Sequence, residues 1–192
     1  MGRPRSFDRD VALERAMDVF WAKGYRNASI GELLAAMGIQ KGSLYDSFGD
    51  KQELFLAALQ LYRRRWGALV AAHAAAPGRA RDVLIELLRV MGREVASDKL
   101  GRGCLIANAA VELRHLDAES AAIVRGSLDG LEETFTRLVA RAADDGALRG
   151  DREPRALARF LIASLNGIRD VARAGAPAAR IHELVETLIS MI

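Results

Sequence analysis

A short run of polar side chains, from Gln40 to Ser47, has residue types that bind nucleic acid. Its sequence, QKGSLYDS, presents an amide, an ammonium group and several hydroxyl groups close together. An amide can make two hydrogen bonds to adenine, and ammonium and hydroxyl groups bind base edges or phosphate oxygens. The run therefore suits contact with double-stranded DNA if one helix holds these side chains on its exposed face.

The surrounding residues predict two short helices joined by a tight turn. Ser29 can cap the first helix, and Glu32 stands three residues later and completes a capping box. Gly38 can end this helix because glycine tolerates positive φ. The second helix has only Leu44 and Phe48 as strong apolar anchors, so its remaining surface is free for a polar ligand. This is the helix-turn-helix arrangement, whose second helix enters the major groove; an ordinary surface hairpin is the alternative.

Two cations flank this region. Arg5 lies in an arm before the first helix, which can reach a phosphate or the minor groove or can be a solvated tail. Lys51 lies in the first turn of a helix that Asp50 caps, where a cation opposes the helix dipole. Local stability does not explain Lys51, whereas a phosphate bound at the same helix start would.

The distribution of charge favours the same end of the chain. Residues 1–75 contain 11 Lys and Arg against 8 Asp and Glu, and residues 76–192 contain 17 against 17. The net charge of +3 is therefore confined to the part that contains the helix-turn-helix. An excess of this size gives modest support for a nucleic-acid partner.

The fold class predicted for the chain is all-α. Hydrophobic residues make up 51% of the 192 residues, and they recur with the helical period without the alternation of strands. The predicted domains are 1–50, which binds DNA, and 51–192, which binds an effector and dimerises. A helix over about 50–76 would connect them.

The cysteine content and the N-terminus favour the cytoplasm. Cys104 is the only cysteine, which excludes an intrachain disulfide and suits a reducing compartment. The N-terminal sequence MGRPRSFDRD lacks the apolar segment of a signal peptide, and no apolar run approaches the roughly 18 residues that span a bilayer. We therefore predict a cytoplasmic protein without a membrane partner.

Residues 7–62 resemble the N-terminal region of TetR-family transcriptional regulators. The match to the family pattern of glycines, apolar residues, lysines and aromatic residues runs through Gly38, Ile39, Lys41, Gly42, Ser43, Leu44, Tyr45, Phe48, Lys51 and Leu54. The remaining two-thirds resemble the family only in helix count and lengths. The resemblance implies a bacterial, nine-helix, two-domain homodimer with three DNA-binding helices. It also implies repression from a palindromic operator and release by a small molecule.

Two positions depart from the family pattern. The family often has Ser or Thr where Gln40 stands and His where Ser47 stands. Because glutamine is a weak helix cap, we interpret Gln40 as a reader of adenine. Tyr45 would contact the DNA backbone through its hydroxyl. The predicted DNA-binding residues are Arg5, Ser29, Gln40, Lys41, Gly42, Ser43, Tyr45, Ser47 and Lys51.

The effector-binding and dimerisation residues are less specific predictions. Pocket candidates combine apolar walls with a few polar groups, and each can instead be ordinary core: Trp66, Met91, Asn108, Phe135, Phe160 and Asn166. The two closing helices carry wide apolar stripes, of which one side can pack on the core and the other on a second copy. The predicted interface residues are Leu157, Phe160, Leu161, Leu165, Ile168, Ile181, Leu184, Val185 and Leu188.

Cys104 suggests a second kind of effector. It follows Arg102 and opens a predicted short helix, and both features favour the reactive thiolate. Some branches of the resembled family sense oxidants or electrophiles through a cysteine in a similar segment. The alternative is a small buried hydrophobe, which a free cysteine usually is.

Other functions have little support in the sequence. The three histidines, His73, His115 and His182, are widely separated, so we expect no metal. We also expect no cofactor, because the chain has no glycine-rich phosphate loop. A thiol hydrolase built on Cys104 and His115 is the enzyme alternative, without a nucleophile elbow or paired carboxylates to support it. A DNA-binding protein without a ligand is a third hypothesis.

Overall fold

The described residues form an all-helical protein, as predicted. The computed structural model describes residues 7–98, 100–146, 148 and 152–192, so Arg5 lies outside the described residues. Within these ranges the chain forms nine α-helices, with a 3-10 turn at Leu113–His115 after the sixth. The helices are α1 Arg9–Asn27, α2 Ile30–Met37, α3 Lys41–Phe48, α4 Lys51–Ala74, α5 Ala80–Ser97, α6 Leu105–Val111, α7 Ala118–Asp144, α8 Pro154–Arg173 and α9 Ala178–Ser190.

Local signals explain where the first helices begin and end. The Asp8 carboxylate caps α1 by accepting hydrogen bonds from the backbone amides of Asp10 at 2.9 Å and Val11 at 3.2 Å. Gly24 has φ +78° and interrupts the regular helix shortly before α1 ends at Asn27. Gly38 has φ +69° and ends α2 in the left-handed conformation that the turn requires.

The chain divides into two compact units. The helix-turn-helix unit comprises Met1–Arg65 and Leu105–Gly126, and the C-terminal unit comprises Trp66–Cys104 and Ser127–Ile192. The helix-turn-helix unit thus includes α6 and the beginning of α7 as well as α1 to α3. The functional division at residue 50 stays a prediction, because compactness does not show which helices bind an effector.

An aromatic cluster forms the centre of the helix-turn-helix unit. Phe20 and Phe55 are almost fully buried, and their ring centroids lie 4.9 Å apart in an edge-to-face arrangement. The Tyr25 ring lies 4.9 Å from Phe55. Pairs at this separation add to the free energy of burial. The cluster fixes α1 and α4 together, and α2 and α3 pack through the buried Leu33 and Leu44.

The core of the C-terminal unit joins α5, α8 and α9 to part of α7. Leu87, Met91, Phe135 and Leu161 each have no exposed surface in this core. Helices α5 and α9 approach each other closely at Gly92, where a Cβ atom would lie 2.7 Å from a methyl group of Val185. In the part of the chain that the structure describes, no helix is both long and apolar enough to cross a membrane.

This core contains most of the residues predicted for the dimer interface. Phe160, with 44% of its surface exposed, is available to a second copy, and Leu184 is partly buried against the core. The other predicted side chains are buried within their own protomer and therefore offer no surface to a partner: Leu157, Leu161, Leu165, Ile168, Ile181, Val185 and Leu188. The interface role of these residues stays a prediction with less support, because an apolar stripe does not show whether its own chain or a second copy covers it.

Candidate nucleic-acid interface

Helix α3 is anchored by two residues, as its sequence predicts. Leu44 is fully buried and Phe48 is 6% exposed. Gln40 occupies the N-cap position in extended conformation, and its side chain does not cap the helix. The Gln40 amide is therefore exposed and available to a ligand, which agrees with its interpretation as a reader rather than a cap.

The outer face of α3 is polar and open. Lys41, Gly42 and Tyr45 are exposed, and Ser43 and Ser47 are partly exposed. The Lys41 ammonium lies 6.0 Å from the centroid of the Tyr45 ring, so these two side chains share one face. Apart from its chain neighbours and the backbone of its own helix, no described atom lies within 4 Å of a Cβ built at Gly42, which leaves room for close approach by a large partner.

Arg9 positions the end of α3, a role that was not predicted. Its guanidinium lies 4.7 Å from the centroid of the Phe48 ring, and its Nε donates a hydrogen bond of 3.3 Å to the carbonyl oxygen of Ser47. A cation at a helix C-terminus satisfies carbonyl groups that have no partner within the helix. The signal in the sequence was weak, because Arg9 and Ser47 are far apart along the chain.

Ser29 serves mainly as a cap. Its hydroxyl accepts from the Glu32 backbone amide at 3.2 Å and donates to the Glu32 carboxylate at 2.8 Å. Its own backbone amide donates to the same carboxylate at 3.0 Å. Both donors of Ser29 are thus used within the protein, and neither is free for a phosphate in this arrangement. The capping box is confirmed, whereas the DNA contact of Ser29 stays a prediction with less support.

Hydrogen bonds also stabilise the charged form of Glu32. The Lys23 ammonium, which forms an ion pair with this carboxylate, is the largest cause, and the hydrogen bonds from Ser29 add to it. Together they lower the pKa of Glu32 to about 2. The start of α2 is therefore held by a carboxylate that stays ionised well below neutral pH.

Lys51 has local partners, which corrects the argument that only a phosphate would explain it. Its ammonium lies 4.7 Å from the centroid of the Tyr25 ring, within the range of a cation–π interaction. It also donates a hydrogen bond of 3.4 Å to the carbonyl oxygen of Arg26. Burial lowers the pKa of Lys51, and the charge of Glu112 acts in the opposite direction. Lys51 therefore ties the start of α4 to the end of α1.

Glu112 completes this junction within the helix-turn-helix unit, and the sequence did not suggest it. Its carboxylate accepts hydrogen bonds from the backbone amides of Tyr25 at 3.2 Å and Arg26 at 3.0 Å. A Cβ atom at Gly24 would displace the same carboxylate, and the positive φ of this residue favours glycine. The residue just after α6 is thus bound to the end of α1.

The pocket candidates are divided between the two units and differ in burial. Met91 and Phe135 are fully buried in the core of the C-terminal unit, and Trp66 packs against that core. Phe160 is exposed. Asn166 accepts a hydrogen bond from Arg169. Asn108 belongs to the helix-turn-helix unit. The positions of Met91 and Phe135 favour a packing role for both, which was the alternative interpretation.

The segment before Cys104 is held by many polar contacts. The Asp98 carboxylate lies 3.5 Å from the Arg102 guanidinium and accepts from the Gly103 amide at 3.0 Å. Arg173 donates to the carbonyl oxygens of Gly101 at 3.2 Å and Arg102 at 2.7 Å. Cys104 itself is 9% exposed and precedes α6. The Arg102 charge, predicted to activate the thiol, is therefore balanced by Asp98.

The histidines and acidic residues of the described part of the chain are not arranged as a metal site. Among those residues, no three His, Cys, Asp or Glu side chains are grouped so as to hold a metal ion. His115 lies near two arginine side chains, with Arg26 at 3.4 Å and Arg114 at 3.0 Å from its Nε2. The most complete arrangement is the open polar face of α3.

Two family models match most of the chain. The model described as "Bacterial regulatory proteins, tetR family" matches residues 12–58, which include α2 and α3. The model described as "Tetracyclin repressor-like, C-terminal domain" matches residues 78–188. The first match covers the helix-turn-helix, and the second covers nearly all of α5 to α9.

Individual relatives agree along the whole length of the chain. The uncharacterized HTH-type transcriptional regulator YezE of Bacillus subtilis is 32% identical over 193 residues, which span 100% of both chains. The HTH-type transcriptional repressor ComR of Escherichia coli is 27% identical over 99% of this chain and 91% of its own. Among solved structures, a cysteine-substituted TetR-family regulator, CifR, in complex with 26-base-pair operator DNA is 36% identical. It superposes with a TM-score of 0.84 over 98% of each chain.

Proposed function

The chain belongs to the TetR family of helix-turn-helix transcriptional regulators, and we propose that it is a cytoplasmic, homodimeric repressor that a small-molecule effector releases from a palindromic operator. The observation that carries the DNA-binding part of this proposal is the open face of α3. The buried side chains of Leu44 and Phe48 anchor this helix, whereas Gln40, Lys41 and Tyr45 are exposed. This division of the helix between anchors and exposed donors is what major-groove recognition requires.

The exposed residues of α3 have separable roles in this proposal. Gln40 reads a base through its amide, because an amide can make two hydrogen bonds to one adenine. Tyr45 and Ser47 bind the phosphate backbone through their hydroxyl groups. Lys41 and Ser43 reach base edges or phosphates, and Gly42 allows the backbone to approach closely. Arg9 fixes the orientation of α3 through its contacts with the Phe48 ring and the Ser47 carbonyl.

Homodimerisation follows from the symmetry of a palindromic operator. Two copies related by a twofold axis would place two α3 helices in successive major grooves, about 34 Å apart. The exposed side of α8, which includes Phe160, is the proposed interface. The structure of CifR with operator DNA supports assembly of a relative on an operator.

Effector binding would act through the junction that Glu112 forms. Glu112 follows α6 and binds the amides of Tyr25 and Arg26 at the end of α1, next to the contact of Lys51 with the Arg26 carbonyl. A shift of α6 would therefore change how α1 and α4 are held. Ligand binding that favours the shifted state would move the paired α3 helices out of register with the operator.

A reactive Cys104 is the second candidate for the effector response. A solved structure of E. coli NemR is described as its reduced form, and it shares the fold of this chain with 17% identity and a TM-score of 0.83. The burial of Cys104 and the pairing of Arg102 with Asp98 favour a packing role instead. Labelling by an alkylating reagent at neutral pH distinguishes the two, because a sensor thiol reacts rapidly and a packed one slowly.

A gel-shift titration against the DNA upstream of the protein's own gene tests the proposal. We expect a specific shift for the natural chain, a weaker one for Lys41→Ala, and no change for Arg141→Ala. Arg141 is a matched control because it is an exposed cation in the C-terminal unit. The absence of any specific shift would contradict the proposal. A shift that no small molecule or oxidant affects would favour a DNA-binding protein without a ligand.

A further inference from the structure

Arg169 is an unusual cation because it is buried and has no carboxylate partner among the described residues. The residue is 7% exposed on the inner side of α8, and its neighbours Leu165 and Ile168 belong to the apolar core of the C-terminal unit. Its guanidinium makes one hydrogen bond within the described residues, in which Nη1 donates to Oδ1 of Asn166 at 2.8 Å. An amide oxygen is neutral, so it satisfies one donor and leaves the charge unbalanced.

Other arginines of the same unit show how different this arrangement is. Arg89 donates two hydrogen bonds to Glu186 at 2.7 and 2.8 Å, and Arg159 donates to Glu132 at 3.0 Å, although both pairs are exposed. Arg173, one turn further along α8, donates to two backbone carbonyl groups. Arg169 is thus the buried member of this comparison, and, like Arg173, it has no anionic partner among the described residues. Desolvating an unpaired charge costs free energy, and a ligand that supplies the counter-charge would recover it.

We propose that Arg169 and Asn166 form the polar end of the effector site and bind the carboxylate of a small, largely apolar acid. This proposal rests on the effector-controlled function proposed above. A guanidinium matches a carboxylate through two parallel hydrogen bonds. Asn166 is partly exposed, so the pair is reached from the surface, and its amide N–H groups, which have no acceptor among the described residues, can donate to the same ligand.

The charge balance and the surroundings define the class of ligand. One guanidinium neutralises one negative charge, so a monocarboxylate leaves no excess charge in the core, whereas a phosphate dianion would. Leu165 and Ile168 are apolar, which suits a hydrocarbon body. Burial of apolar surface and one charged contact together are the usual composition of a small-molecule site.

The position of Arg169 also gives the ligand a route to the DNA-binding helices. Arg173, on the same helix, holds the carbonyl groups of Gly101 and Arg102. That segment continues into Cys104 and then α6, which ends next to Glu112. A ligand that shifts the end of α8 would therefore act on the chain segment that leads to α6.

Thermal unfolding of the full chain tests whether Arg169 binds carboxylates. The probes are sodium hexanoate and sodium benzoate at millimolar concentration, with hexanamide and benzamide as uncharged controls and sodium chloride to equalise ionic strength. We expect at least one carboxylate to raise Tm by about 2 °C or more, because a ligand that binds only the folded state stabilises it. The amides should have no effect.

Variants assign the effect to Arg169. Arg169→Met should lose the carboxylate-dependent rise and should raise the Tm of the ligand-free protein, since it removes an unpaired buried charge. Arg141→Met, which removes an exposed charge, should keep the rise. A rise that persists in Arg169→Met, or no rise with either carboxylate in the natural chain, would overturn the proposal. Failure of both Arg169→Met and Arg169→Gln to fold would show a structural role and would also overturn it.

A parallel gel shift separates this inference from the proposed function. The carboxylate that raises Tm should weaken operator binding by about tenfold, a typical coupling between two sites. A Tm rise without any change in operator binding would overturn the assignment as the effector site. If the ligand-free protein gave no specific shift at all, the proposed function would fail, while the thermal measurement would still decide whether Arg169 binds carboxylates.

Discussion

At the scale of single residues, Lys51 and Lys41 show how two cations close in sequence differ in role. The Lys51 ammonium is partly buried and lies against the Tyr25 ring and the Arg26 carbonyl. The Lys41 side chain is exposed on the open face of α3. These surroundings suit a stabilising role in the helix-turn-helix unit for Lys51 and the proposed contact with DNA for Lys41.

Paired substitutions of these lysines test the division. Lys51→Met should lower the free energy of unfolding by about 0.5–1 kcal/mol, the magnitude of an exposed cation–π contact. Lys41→Met should leave that free energy unchanged and should reduce the slope of log affinity against log salt by about 1, because one phosphate contact is lost. Urea unfolding and DNA titrations at several salt concentrations measure the two effects. An unchanged stability for Lys51→Met would contradict the assignment.

Sequence patterns predicted the contacts of this unit only where they are local. The capping box of Ser29 and Glu32 and the anchors Leu44 and Phe48 depend on residues three or four positions apart, and each was found as expected. The role of Glu112 was missed because its partners are more than 80 residues away. The surroundings of such a residue depend on how the helices pack, and helical periodicity carries no information about that.

At the scale of elements, the start of α2 depends on an ionised carboxylate. Folding lowers the pKa of Glu32 from 4.5 to about 2. As the pH falls, the unfolded chain therefore binds a proton at Glu32 before the folded chain does. The stabilisation is complete above about 4.5, the unfolded value, and is lost as the pH approaches 2.

Glu32→Gln should show this dependence on pH. The difference in Tm between the natural chain and this variant should be largest near neutral pH and should shrink between pH 4.5 and about 2. Ser29→Ala serves as the comparison, with a cost of about 0.5–2 kcal/mol for a lost cap. Because the Ser29 hydroxyl also donates to the Glu32 carboxylate, only the part of this cost that comes from its bond with the Glu32 amide should persist further into the acid range. A difference for Glu32→Gln that is constant with pH would show that the ion pair does not operate in solution.

The junction between Glu112 and the end of α1 makes a separate prediction. Glu112→Ala removes the acceptor of the Tyr25 and Arg26 amides, so both should exchange hydrogen at least about tenfold faster, as expected for loss of a charge-assisted hydrogen bond. Glu119→Ala, at the exposed start of α7, should leave these two amides unchanged. Equal exchange in Glu112→Ala and the natural chain would contradict the proposed junction.

At the scale of the whole molecule, the all-α class was readable from the sequence, but the surface that pairs two copies was not. The stripes of α8 and α9 were identified correctly as apolar, yet most of their residues fill the core of their own unit. An apolar residue at helical spacing indicates that its side chain is covered, either by its own chain or by a second copy. The packing of α5 against α9, for example at Gly92 and Val185, shows that the protomer itself covers these residues.

The remaining exposed apolar residue of that prediction gives a direct test of dimerisation. Phe160→Glu should shift the full chain from dimer towards monomer in sedimentation equilibrium, because it places a charge in the proposed interface. Leu100→Glu is the matched control, since Leu100 is 75% exposed outside α8. An unchanged dimer for Phe160→Glu would exclude this side of α8 from the interface.

The central claim is that α3 reads the base sequence of a symmetric operator. Selection of bound sequences from random DNA tests it most directly, with the natural chain, Gln40→Ala and Tyr45→Phe in parallel. We expect the selected sequences to contain a palindrome whose half-sites lie about one helical turn apart, or a multiple of it. Gln40→Ala should relax one base position in each half-site, and Tyr45→Phe should weaken binding to all sequences alike. Recovery of no symmetric motif, or of the same motif with Gln40→Ala as with the natural chain, would contradict it.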